Sequence, residues 1–269
     1  MFEKTGFIGC GNMGGALLRA VAAVEKAERT ELFVSGRGSG RAEKAAAETG
    51  ASVSSNEKIA SDCSLIFLAV KPQVMPEVLD GLKDVFASRE DRFVFVTMAA
   101  GITIDGIRAM AGGDYPVIRI MPNLPVQVGA GTTLYCSDGV MEPELEAFRY
   151  LMAGSGILCP VQENLIDAGS AVSGCGPAFA FMFIEALADG GVACGLPRAT
   201  AQLLAAQTLA GSAELLMYSG KNPGELKDNV CSPGGTTIEG VLTLESGGFR
   251  SLASEAVRSA YIKTLELKK

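Results

Sequence analysis

Thr5-Gly6-Phe7-Ile8-Gly9-Cys10-Gly11-Asn12-Met13-Gly14-Gly15-Ala16-Leu17-Leu18 sets a G-x-G-x-x-G turn between a short apolar run and a helical one. The three glycines alone say little; their position after a strand and before a helix is what points to a bound dinucleotide. There Gly9 permits the tight turn, Gly11 lets a pyrophosphate approach the backbone, and Gly14 lets helix and strand pack closely. The helix N-terminus supplies donors to the phosphates. The cofactor contacts are expected along Ile8, Gly9, Cys10, Gly11, Asn12, Met13 and Gly14.

Outward from this turn, strand-like runs alternate with helical patterns up to about residue 160. The expected strands are Thr5–Gly9, Glu31–Ser35, Leu65–Val70, Phe93–Thr97, Val117–Met121, Thr132–Cys136 and Leu158–Val161. Helix-length stretches Asn12–Lys26, Arg41–Thr49, Gln73–Phe86 and Thr103–Met110 lie between the early ones. That alternation predicts an α/β domain over 1–162: a Rossmann-type, doubly wound parallel sheet with helices on both faces. Beyond it the strand signals stop. Pro177 to Asp189, Pro197 to Ser219, Gly234 to Leu244 and Phe249 to Leu267 read as helices, three with Pro in the first turn. Residues 163–269 are expected to form an all-α domain. The stretch from Pro197 to Ser219 carries two charges, Arg198 and Glu214. A helix apolar all round needs cover on every side, so a homo-oligomer with helices at its interface is expected.

The second strand decides which dinucleotide fits. An acidic residue at its end would bind a ribose 2′-hydroxyl. This chain has Ser35-Gly36-Arg37-Gly38, with Arg41 nearby, which suits a 2′-phosphate and favours NADPH over NADH. Ala69-Val70-Lys71-Pro72-Gln73 and Ala99-Ala100-Gly101 follow later strands on the carboxyl edge, where ligands bind in such sheets. Small residues there leave room for a flat ring, and Lys71 is placed to hold a ribose, a phosphate or a substrate carboxylate.

Composition narrows the chemistry. At roughly 100–200 residues per domain, a chain of 269 residues favours two domains, and 48% apolar residues make it globular. A net charge of −7 opposes nucleic-acid or anionic-membrane binding. There is no His, which removes imidazole as acid, base or ligand. The seven Cys show no C-x-x-C spacing, so neither zinc nor a disulfide framework is expected, and buried reduced thiols in a cytoplasmic protein are. No basic region leads an apolar stretch at the start, so no secretory signal is expected. The uncharged run from Ala168 to Ile184 is interrupted by Ser, Gly and Pro and reads as too short to span a bilayer.

Five segments together resemble the pyrroline-5-carboxylate reductase family over essentially the whole length. They are Gly9–Gly14, Val70-Lys71-Pro72-Gln73, Arg119-Ile120-Met121-Pro122-Asn123-Leu124-Pro125, Ser173-Gly174-Cys175-Gly176-Pro177-Ala178, and Asp228-Asn229-Val230-Cys231-Ser232-Pro233-Gly234-Gly235-Thr236-Thr237. Cys175 stands where the family commonly has Ser, and Phe179 where Tyr is frequent. The resemblance implies NAD(P)H-dependent reduction of 1-pyrroline-5-carboxylate to L-proline, the last step of proline biosynthesis. It also implies a helical domain that dimerises by interlocking, dimers often assembled into decamers, and an active site shared between chains. By the same resemblance the cofactor set extends to Ser35, Arg37, Asn56, Ala69, Val70, Lys71, Pro72, Met98, Ala99, Ala100 and Gly101. The substrate set is Glu163, Asn229, Val230, Ser232, Gly234, Gly235, Thr236 and Thr237, with Thr237 and Lys71 as the catalytic pair.

Residues Ser232 to Thr237 also read directly as a helix start, with Ser232 as N-cap, Pro233 in the first helical position and bare backbone at Gly234-Gly235. Unpaired N–H groups there would hold the substrate carboxylate. Without His, the proton comes from solvent, from substrate already protonated, or from a hydroxyl such as Thr237. Ser173 to Pro177 follows the same plan and reads as close helix packing or as a pocket wall. Two rivals stand beside this reading. A hydroxyacid dehydrogenase of related build would carry a catalytic Lys on its second-domain helix, and none lies from Pro177 through Asp189. A non-catalytic NADPH-binding protein would have no use for Ser232–Thr237. Reduction of another cyclic imine stays open.

Overall fold

The computed structural model describes residues 2–25, 30–38 and 40–266. The expected helix ends at Lys26 and Leu267 lie outside them. Contacts divide the chain into two compact units, one reaching Gly174 and taking in the chain from Tyr261 on, the other Cys175–Ala260.

The first unit runs β1 (Lys4–Ile8), α1 (Asn12–Glu25), β2 (Glu31–Ser35), α2 (Arg41–Thr49), β3 (Ser52–Val53), α3 (Asn56–Asp62), β4 (Leu65–Leu68), α4 (Met75–Asp80), α5 (Lys83–Ala87), β5 (Val94–Thr97) and α6 (Ile104–Ala111). It continues through β6 (Val117–Pro122), β7 (Gly131–Asp138), α7 (Glu142–Leu151), β8 (Gly156–Pro160) and α8 (Ile166–Ser173). The sheet order is β3-β2-β1-β4-β5-β6-β7-β8, so the winding reverses between β1 and β4. The central strands are near-continuous apolar runs because both faces are covered. Phe7 and Phe67 stack at 4.3 Å on the face that packs with α1 and α2. Ile8, Ile66, Leu68 and Phe95 face the other way, with Ile59 of α3, Leu79 of α4 and Ile107 of α6.

Two expectations change here. The sheet is not wholly parallel: β7 runs antiparallel to β6. Only a 3-10 turn at Leu124–Val128 joins them, too short for the dozen or so residues that a parallel crossover needs. The expected helix Gln73–Phe86 is two, α4 and α5. At Gly81-Leu82 the hydrogen bonds tighten, Leu82 N–H donating to Leu79 O at 3.1 Å, and the axis breaks.

The second unit holds α9 (Gly176–Ala193), α10 (Arg198–Ser219), α11 (Pro223–Val230), α12 (Thr236–Ser246) and most of α13 (Phe249–Glu266). Pro177 lies in the first turn of α9, but Pro197 precedes α10 as its N-cap. Its buried core is small, Ala188, Ala201 and Ala205, with Ile184 and Val192 packed against them. Phe181, Met182, Leu203, Leu204, Leu215, Met217 and Leu252 are all more than half exposed. The uncharged run read as too short belongs to a longer helical stretch. Within Glu163–Ala193, 31 residues long, an 18-residue window reaches mean hydropathy 1.5, enough by length and composition to cross a membrane. A helix covered by protein on all sides has the same composition.

Of the seven thiols, all free, only Cys63 is buried, while Cys194 is exposed and the other five are half-buried. The expectation of buried thiols is therefore corrected for all but Cys63, whose burial pushes its thiol up to about 12.

Candidate functional site

A cleft of about 490 Å³ opens on the carboxyl edge of the sheet where the winding reverses. Of the residues expected to bind cofactor, Gly9, Cys10, Gly11, Ser35, Arg37, Asn56, Ala69, Val70 and Lys71 line it, together with Arg41. Gly36, inside the Ser35–Gly38 motif, also lines it, as do Ser54, Ser55 and Glu57, which carried no motif to find them by.

The glycines divide the work as their chemistry requires. Gly9 has φ +100, and a Cβ on it would lie 2.8 Å from Ala69 O. A Cβ on Gly14 would lie 2.8 Å from Ala69 Cβ, so this close packing is against the end of β4. A Cβ on Gly11 would meet nothing within 4 Å. That open side is where a phosphate can reach the backbone at the start of α1, whose first-turn N–H groups have no partner within the helix.

Ser35 is buried, and its hydroxyl donates to Asn56 Oδ1 at 2.6 Å, while Gly9 N–H reaches Ser35 O at 3.2 Å. This hydroxyl ties the end of β2 to α3, and Arg37 and Arg41 are the guanidinium groups that line the cleft. Arg37 is exposed and its Nη2 donates to Glu77 Oε1 at 3.0 Å. The Cys10 thiol donates to Arg41 O at 3.5 Å, and burial raises its pKa against the pull of Arg19 and Arg41. Lys71 is exposed, and its carbonyl accepts from Val74 N–H at 2.9 Å.

The remaining expected cofactor residues lie apart from the cleft's lining. Ile8 is fully buried in the core, so only its backbone is available. Asn12 lines a neighbouring cleft with Arg19, Arg41 and Lys44, and Met13 packs against the core. Pro72 is half-buried after Lys71. Met98 is half-buried, Ala99 buried and Ala100 exposed beyond the end of β5, with Gly101 at φ +79.

The expected substrate residues are divided between the two units. Asn229, Val230, Ser232, Gly234, Thr236 and Thr237 are exposed, with Gly235 half-buried, around the link between α11 and α12. The helix starts later than its sequence suggests. Pro233 and Gly234, the latter at φ +65, form a turn closed by Gly235 N–H to Ser232 O at 3.0 Å. Gly235, not Ser232, is therefore the N-cap, and its amide is spent in the turn. The N–H groups left without helical partners move to Thr236 and Thr237. Glu163 belongs to the first unit, where its Oε1 accepts from Ile104 N–H at 2.8 Å and from Arg119 Nη1 at 3.0 Å.

A crevice at the switch point, with an unobstructed glycine at the start of a helix and guanidinium groups at its mouth, belongs to the dinucleotide-dependent oxidoreductases, and residues 4–101 match the family model described as NADP oxidoreductase coenzyme F420-dependent. Residues 163–267 match the model for pyrroline-5-carboxylate reductase dimerisation. The pyrroline-5-carboxylate reductase of Synechocystis sp. is 41% identical over 271 residues, covering all of both chains. The solved pyrroline carboxylate reductase of Plasmodium falciparum, with NADP bound, is 34% identical, with a TM-score of 0.85 over 99% of this chain and 98% of that one. That of Coxiella burnetii is 30% identical, with a TM-score of 0.90 over 100% and 99%. The chain belongs to the pyrroline-5-carboxylate reductase family.

Proposed function

We propose that the protein reduces 1-pyrroline-5-carboxylate to L-proline with NADPH, the closing step of proline biosynthesis. The observation that carries this reading is the cleft at the reversal of the sheet, open at Gly11 and ringed by Arg37, Arg41 and Lys71. When bound, NADPH supplies hydride from C4 of its nicotinamide.

The chain's own residues hold and orient. Amides at the start of α12, with the Thr236 and Thr237 hydroxyls, take the substrate carboxylate. The Thr237 hydroxyl hydrogen-bonds the ring nitrogen. A C–H bond forms at the imine carbon, the C=N pair moves onto nitrogen, and a proton carried by the substrate or drawn from solvent completes the amine. Lys71 contributes its charge at the cofactor edge, and Met98 to Gly101 face the nicotinamide end. The helix N-terminus is worth about 0.3–2 kcal/mol toward an anion, so hydrogen bonds carry the specificity.

The cofactor domain is assigned to 1–162 and the substrate and dimerisation domain to 163–269. The protein works as a cytoplasmic homodimer, with the decamer as a further assembly. Support comes from the exposed apolar side chains of α9 and α10 and from seven free thiols, which suit a reducing compartment. The test is NADPH consumption on adding pyrroline-5-carboxylate. One proline per NADPH is expected; no consumption with any cyclic imine would leave a non-catalytic NADPH binder.

A further inference from the structure

The cleft at the winding reversal is crossed by an ion pair. Arg37 follows the end of β2 by two residues, and its Nη2 donates to Glu77 Oε1 at 3.0 Å. Glu77 is the third residue of α4, the helix after β4, and Val74 and Val78 on either side of it line the cleft as Arg37 does. In the sheet β1 lies between β2 and β4. The pair therefore bridges the carboxyl ends of two strands about 10 Å apart, with the Gly9–Gly11 turn at the end of β1 between them. Among the described residues Arg37 alone of the three cations lining the cleft is held by a carboxylate; Arg41 and Lys71 are not.

A guanidinium fork takes a phosphate best through two parallel N–H donors, and a phosphate monoester carries close to two negative charges at neutral pH. Glu77 holds one arm of the Arg37 fork. A 2′-phosphate that takes both arms must release that carboxylate into water, and the freed charge then stands beside the bound phosphate. A ribose 2′-hydroxyl meets neither condition. The side chains are 69% exposed at Arg37 and 72% at Glu77, so the release is cheap: an exposed ion pair is worth up to about fivefold in affinity. That cost falls on NADPH and spares NADH.

We propose that Glu77 is a specificity-determining residue: it competes with the 2′-phosphate of NADPH for Arg37 and so narrows the preference for NADPH over NADH that Arg37 and Arg41 create. This rests on the reading of Arg37 as a partner of the 2′-phosphate.

The test titrates the wild type, Glu77→Gln, Arg37→Ala and the double variant with NADPH and with NADH, following the fluorescence of the reduced nicotinamide at one fixed salt concentration, since exposed charges are screened. Both side chains are exposed, so neither substitution opens the core. Binding is read without turnover, so the result stands apart from that of the reductase assay. Glu77→Gln should tighten NADPH binding about two- to fivefold and leave NADH binding unchanged. Arg37→Ala should weaken NADPH binding about tenfold, as the loss of a charge-assisted hydrogen bond does, with NADH again unchanged. In the double variant the gain from Glu77→Gln should vanish, because the object of the competition is gone. Weaker NADPH binding in Glu77→Gln would overturn the proposal, since the carboxylate would then present Arg37 to the phosphate instead of withholding it. Unchanged affinities in that variant, an equal gain for both cofactors, or a gain that persists undiminished without Arg37 would overturn it as well. An unaltered ratio of NADPH to NADH affinity in Arg37→Ala defeats the reading of Arg37 and the proposal with it. A lowered ratio there, with no response to Glu77→Gln, defeats the proposal alone.

Discussion

Gly9 and Gly11 are two residues apart and ask for glycine for opposite reasons. At Gly9 the backbone has φ +100 and Ala69 O stands where a Cβ would go, so Gly9→Ala should cost about 1–3 kcal/mol of stability, read as a lower thermal midpoint. At Gly11 there is space, and the methyl of Gly11→Ala would intrude only on a ligand. That variant should fold as the wild type does and raise the KM for NADPH about tenfold or more, since close approach to a phosphate is worth at least one charge-assisted hydrogen bond of about 1.5–3 kcal/mol. Thr237→Ala should cut kcat about a hundredfold, the lower range for removing a group that handles a proton, with NADPH affinity unchanged; normal turnover would remove Thr237 from the mechanism. The glycine roles are legible because spacing and backbone sterics alone define them. The inward turn of the Ser35 hydroxyl is not, since its partner Asn56 is 21 residues away and nothing local announces the pairing. The attachment of Glu163 to Ile104, 59 residues apart, is hidden for the same reason.

At the scale of elements, long periodic segments read well and short or exposed ones do not. β2 and α2 fall where the sequence puts them, because β-branched and aromatic runs and a capped alanine-rich helix carry their own signal. β3 is two exposed residues and offers no pattern. α3, α7, α8 and α11 are absent from the sequence expectations, although Ser55 and Asn222 cap two of them with side-chain oxygens. The start of α12 lies later than expected because Ser-Pro looks like a cap and first turn, whereas Pro-Gly is equally a reverse turn, and the φ of +65 at Gly234 selects the latter. That turn aims the amides of Thr236 and Thr237. Gly234→Ala places a side chain in the left-handed region at about 1–2 kcal/mol. It should therefore lower kcat/KM for pyrroline-5-carboxylate several-fold to about thirtyfold in steady-state assays, with the KM for NADPH untouched.

For the whole molecule, the second unit is the argument for assembly. Three buried alanines make a thin core for a helical unit that leaves Phe181, Met182, Leu203 and Met217 more than half exposed. The low charge of α10 makes this face legible in the sequence, whereas its extent along α9 and α13 needs the structure. Leu203→Glu should weaken the proposed homodimer, with sedimentation equilibrium showing at least about a tenfold weaker association, since losing an apolar side chain from an interface costs upward of about 1–2 kcal/mol. An unchanged dimer would place the interface elsewhere.

The central claim is direct hydride delivery from the dinucleotide at the sheet edge to a cyclic imine, and isotope transfer tests it most directly. With NADPH carrying deuterium at the reactive C4 position, the proline formed should hold one deuterium on the former imine carbon. Proline without the label in either stereospecific form of the cofactor, or no proline at all, would contradict it.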